Sequence, residues 1–108
     1  MNVRSISVPI ADGATESAVV DLNKVKIVGI NIPAGFDGIS LKFTSSPTKA
    51  GTQLAVYDDG GSEVDLVVAA SRYIVPTFTD DLAALAFTKL VVAAQAGAVI
   101  ITLVVKEL

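Results

Sequence analysis

Short apolar runs alternate with clusters of turn-forming residues along this chain, and no other feature limits its fold as much. Residues 39–43 (ISLKF) set Ile39, Leu41 and Phe43 on one side and Ser40 and Lys42 on the other. That period of two is the pleat of a strand with one face in a core. Residues 3–10 place Ile6, Val8 and Ile10 opposite Ser5 and Ser7, and Pro9, which lacks an N–H, marks an edge position. Residues 25–32 carry Gly29 inside the run, the signature of a bulge or a close neighbour. In residues 53–57, Leu54 and Val56 share a face; in 63–69, Val64, Leu66 and Val68 point inward. Between them Asp58-Asp59-Gly60-Gly61 is the strongest hairpin signal, because Asp-Gly accepts the positive φ of a tight turn. Further runs fall at 17–22, 72–75, 86–93 and 99–106, with loops at 11–14, 33–38 and 44–52. Residues 79–85 hold the one helical signal, with Thr79 as cap and Asp80-Asp81 suited to a helix N-terminus. Strands spaced about 8–12 residues apart, with no long helices between them, predict a single all-β domain over residues 1–108, a sandwich or a barrel.

The residue types that are missing narrow the chemistry. The chain has no His, Cys or Trp. That excludes a disulfide framework, a zinc–thiolate site, a cysteine nucleophile and a Ser-His-Asp triad. Eight Lys and Arg stand singly among 11 Asp and Glu, for a net charge of -3. Nucleic-acid binding needs clustered cations to displace counterions, so no nucleic-acid partner is expected. Residues 90–105 (LVVAAQAGAVIITLVV) are apolar enough to test as a membrane span. They fall short of the ~20 residues a spanning helix needs, are broken by Gln95 and Gly97, and end in a β-branched run. We read two buried strands joined by a turn at 94–98, and expect no membrane partner. Residues 1–10 lack the apolar stretch of a signal peptide, which predicts a product made in a host cytoplasm.

The remaining constellations have plain structural readings. Asp58-Asp59 and Asp80-Asp81 are the paired carboxylates, candidates for calcium or for glycoside cleavage. Neighbouring residues on a strand point to opposite faces, and a hairpin turn and a helix start explain the pairs better. Gly60-Gly61-Ser62 lacks the Lys and the following helix of a phosphate loop. No catalytic residue, metal ligand or cofactor site is expected. Among the aromatics, Phe43 and Phe87 lie in strands and read as core. Phe36, in a glycine-rich loop, and Phe78, beside Pro76, are candidates for exposed partner anchors, and Tyr73 lies at the end of the hairpin unit. The apolar fraction is 52% against 18% charged, a surplus for a domain of 108 residues. Sheet edges seek partners, so we expect self-association.

Residues 41–77 carry a resemblance. Phe43-Thr44-Ser45-Ser46, Val56-Tyr57-Asp58, Asp59-Gly60-Gly61 and Val67-Val68-Ala69-Ala70-Ser71-Arg72 follow one another in order. A strand like 85–92 and the closing Ile101-Thr102-Leu103-Val104 complete the pattern. This sequence resembles a family of small tailed-bacteriophage and prophage virion proteins over about two-thirds of its length. The family's polar loop before the last strand is shortened here to Gln95-Ala96-Gly97. The resemblance implies an antiparallel β-sandwich of jelly-roll type, with eight to nine short strands and at most one short helical turn. It implies a non-enzymatic role on the capsid surface of a virion, a decoration (cement) protein that trimerises and docks on the major capsid protein. A carbohydrate-binding module on a tail or fibre, or a neck or tail connector, is the alternative. Residues 1–10 are a candidate strand-exchanging N-terminal arm. The expected interface residues are Val3, Ile6, Val8, Phe36, Tyr73 and Phe78.

Overall fold

The computed structural model describes residues 3–76 and 82–108. Among these the chain is all-β. Its strands are β1 (Val3–Ile10), β2 (Val20–Asp21), β3 (Val25–Ile32), β4 (Ser40–Ser46), β5 (Leu54–Ala55), β6 (Asp65–Val67), β7 (Arg72–Ile74), β8 (Phe87–Val91) and β9 (Val99–Glu107). They form two antiparallel sheets. The first has the order β1-β9-β3-β7; the second runs β2-β8-β4-β5, with β6 also on β4. The chain crosses between sheets at most connections, and the inner faces of both sheets contribute to one apolar cluster.

The long strands bury one face each. In β9 the side chains of Val99, Ile101, Leu103 and Val105 are buried, while Ile100 and Lys106 face outward. A seemingly continuous apolar run is therefore two-faced, and β9 sits between β1 and β3 with partners on both sides. In β3 the register shifts between Ile27 and Gly29. The bulge admits one extra residue, so the buried positions pass from Val25 and Ile27 to Ile30 and Ile32. Gly29 also lies beneath the Tyr73 ring: a Cβ there would come within 2.6 Å of the Tyr73 hydroxyl.

The central hairpin differs from expectation. Strands β5 and β6 do not pair with each other along their length; both lie along the same edge of β4. Ala55 and Leu54 oppose Thr44 and Ser45, and Val56 N donates to Phe43 O (3.1 Å). Residues 57–64 then leave β4 as a short hairpin of their own, with Tyr57 bridged to Glu63 and Val64 N donating to Val56 O (2.9 Å), and Asp65, Leu66 and Val67 resume opposite Lys42, Leu41 and Ser40. The two strands occupy one strand position, interrupted by the Asp-Gly turn. That turn closes on itself: the Asp58 carboxylate accepts from Gly60 N and Ser62 N, each at 2.9 Å, and Gly61 adopts φ +88°. The inward reading of Val64, Leu66 and Val68 is borne out; Leu54 is exposed. Ile39 is exposed too, because Gly38 at φ +113° turns the chain just before it and leaves it outside the regular strand. Of the expected helical turn at 79–85, residues 79–81 lie outside the described residues; Leu82 and Leu85, within them, are core.

Candidate functional site

The features that stand out lie around one end of the first sheet. Pro9 and Ile10 of β1, Val99 and Ile100 of β9, and Ala14 and Glu16 of the β1–β2 connection line a groove of about 780 Å³. Its wall is apolar apart from Glu16, whose carboxylate is held by Lys89 at 3.1 Å. The end of the fold is rigid for a specific reason. Gln95, 2% exposed, donates through Nε2 to Asp37 O and Ala93 O (both 2.8 Å) and accepts at Oε1 from Asp37 N (2.9 Å). Its own carbonyl accepts from Gly13 N (2.7 Å), and Asp37 Oδ2 accepts from Ala96 N (2.8 Å). One residue thus ties the β1–β2, β3–β4 and β8–β9 connections together, its side-chain amide holding the last two and its main-chain carbonyl the first.

The expected interface residues separate into three groups. Val3, Ile6 and Val8 share β1, but at different depths: Val3 is 57% exposed, Ile6 packs partly against the core, and Val8 is 2% exposed. Val8 is a core residue and is not available to a partner. Phe36 is likewise 5% exposed and part of the core cluster, so the expectation of an exposed loop anchor is corrected. The physical cause is the 33–36 turn, closed by Phe36 N donating to Pro33 O (3.3 Å), which folds the loop back over the core. Tyr73 is exposed, on β7 at the far edge of the first sheet from β1. Phe78, like Asp80 and Asp81, lies outside the described residues. The set does not converge on one site. Of residues 1–10, read as a candidate arm, the described residues 3–10 form a strand laddered to β9 over its whole length.

Ile100 and Gln95 are the residues that sequence reasoning misses. Ile100 is hidden in a β-branched run where only the register tells outward from inward; it is 55% exposed, beside Pro9. Gln95 gives a signal, a lone amide in an apolar stretch, which tells against a membrane span without revealing the clamp. Among the described residues no helix is long and apolar enough to cross a membrane, and no three acidic side chains gather to hold a metal ion. None of their buried side-chain polar atoms lacks a partner. The arrangement offers apolar surface and a backbone edge. No protein family, curated protein or solved structure matches the chain, so the virion-protein resemblance rests on its sequence motifs alone.

Proposed function

We propose that the chain is a non-enzymatic virion structural protein of a tailed phage or prophage, a capsid decoration protein that self-associates and docks on the major capsid protein. The observation that carries the reading is the pattern of exposure. Val3, Tyr73, Val75 and Ile100, in or next to strands of the first sheet, and Ile39, Leu54, Tyr57 and Val67, in or next to those of the second, are each more than half exposed, whereas the buried polar side chains among the described residues are paired. Surface of that kind suits assembly better than chemistry. The connectivity supports a jelly-roll reading. The antiparallel pairs β1–β9, β2–β8, β3–β7 and β4 with the split β5/β6 are nested, as when one long hairpin is rolled so that β9 meets β3 and β8 meets β4. Jelly rolls serve in viral capsids and in lectins.

The test is co-sedimentation of the purified protein with capsids encoded by the same genome. Saturable binding at a stoichiometry fixed by the lattice is expected; no binding to heads sinks the decoration role. The carbohydrate reading retains one supporting observation, the exposed Tyr73 ring seated over Gly29. Binding on a glycan array that is abolished by Tyr73→Ala would favour it over head decoration.

A further inference from the structure

We propose that β1 is the contact through which two copies of this chain join, antiparallel and in one register, with Ile6 of one copy facing Ile6 of the other. The inference builds on the self-association proposed above and names its geometry. It replaces the threefold assembly implied by the resemblance with a twofold one.

Three observations lead to it. The first is the contrast between sheet edges. Proteins blunt exposed edges by keeping them short, charged or bulged. The edges formed by β7, β2, β5 and β6 are two or three residues long. β1 is eight residues long and regular in register, and its protective features are confined to one charge, Arg4, near one end and Pro9 near the other. It pairs with β9 on one side, and among the described residues its other side has no backbone partner.

The second is self-complementarity. In an antiparallel pair centred on Ile6, residues of one parity meet residues of the same parity, so inner and outer faces stay continuous across the junction. Ser5 then lies opposite Ser7 of the second copy, and Arg4 opposite Val8 rather than opposite another Arg4. The first sheets of the two copies would merge into one sheet of eight strands.

The third is the pair of exposed apolar residues that this register brings together. Val3 of one copy falls beside Pro9 of the second, and Pro9 is laddered to Ile100. Val3 and Ile100 are 57% and 55% exposed in the single chain, and Pro9 and Ile100 line the apolar groove. Each copy therefore carries both the apolar side chain and the surface that receives it, as an isologous contact requires. A strand added to an edge takes its affinity from main-chain bonds and its specificity from such side-chain seats. Pro9 has no N–H to donate, and it sits at the end of the paired stretch, where side-chain contact suffices.

Sedimentation equilibrium of the full chain should show a monomer–dimer equilibrium. Val3→Glu and Ile100→Lys each change an exposed residue. Each should weaken the dimer on the order of tenfold, since an apolar contact on the outer face is lost twice by symmetry. Mixing the two variants should restore a heterodimer, because the introduced carboxylate of one chain then meets the introduced ammonium of the other. The register is read separately by cross-linking. The chain has no native cysteine, and directly opposite Cβ atoms lie about 4.5–5.5 Å apart. A mixture of Ser5→Cys and Ser7→Cys chains should therefore oxidise to a heterodimer, with each variant alone cross-linking far less. A monomer at every concentration up to about 1 mM, an oligomer unmoved by either charge variant, or no cross-link in the mixture overturns the proposal. None of these readouts involves a capsid, so failure to bind heads leaves the pairing intact, and failure to pair leaves head binding open to its own test.

Discussion

The two sheets solve the same problem in different ways. In the first, β1, β3 and β9 are eight or nine residues long, and backbone ladders join them. Among the described residues no side-chain hydrogen bond involves these strands or β7. The second sheet is pieced together from short strands around β4 and β8. Polar side chains complete what its ladders leave open. Ser17 Oγ accepts from Leu90 N (3.0 Å), Ser45 Oγ accepts from Ala86 N (3.2 Å), and Gln53 Nε2 donates to Phe87 O (2.9 Å). Thr88, fully buried, shares a hydrogen bond with Ser45 across the inner face (3.1 Å). A long strand thus needs only alternation to specify it, whereas a short one draws on particular side chains to satisfy its backbone. The regular sheet keeps a long edge free for pairing; the patched sheet has only short edges to offer.

The hydrophobic core ignores this difference, and the largest predicted effect tests that claim. Phe43 and Leu103 are both fully buried, one in each sheet, within one cluster. Phe43→Ala should cost about 3–5 kcal/mol and Leu103→Ala about 2–5 kcal/mol, each the lost transfer energy plus a cavity. Urea unfolding of both variants measures it. If each remained a single cooperative transition with unchanged slope, the sheets would unfold as one unit. Two separated transitions in either variant would show that the regular sheet stands without the patched one.

Polar support should be confined to the second sheet. Thr88→Val keeps the shape of the side chain but removes its hydroxyl, so it should destabilise by about 0.5–1.5 kcal/mol. Thr102→Val on the outer face of β9 has no such bond to lose and should stay within about 0.5 kcal/mol of the parent. Equal effects at the two positions would dissolve the contrast between the sheets.

That contrast also governs how much is legible in the sequence. Alternation at residues 3–10 and the β-branched run at 99–106 mark two strands of the first sheet, and Gly29 marks the bulge in the third. The second sheet is harder to read. The Asp58–Gly61 signal is a true turn and closes a short hairpin over residues 56–64, but β5 and β6 on either side of it pair with β4 and not with each other. Nothing local separates those outcomes, because they differ only in the partner that β5 and β6 share. The candidate site suffers in the same way. Phe36 reads as an exposed loop residue until the 33–36 turn places it in the core, and Ile100 reads as buried until its register with Pro9 places it outside.

The smallest effect lies at the corner where the chain leaves the second sheet for the first. Asp21 ends β2, and its carboxylate accepts from Asn23 Nδ2 (2.9 Å) and Asn23 N (3.0 Å). These bonds, the side-chain one foremost, hold the Asp21 carboxyl below its ordinary value of 3.8. They also shape the turn that lets Lys24 adopt φ 65° before β3 begins. A carboxyl with a lowered folded-state pKa contributes stability that is complete above its unfolded value and fades as pH falls through the folded one. The contribution therefore begins to fall below about pH 4 and is gone only once the pH is below the lowered folded-state value. Asn23→Ala removes the larger of the two bonds, so Asp21 should titrate closer to 3.8, seen by NMR, and the fall in stability with acid should flatten. An unchanged titration would mean that the backbone N–H alone orders this corner, and that side-chain support of the second sheet stops at β8 and β4.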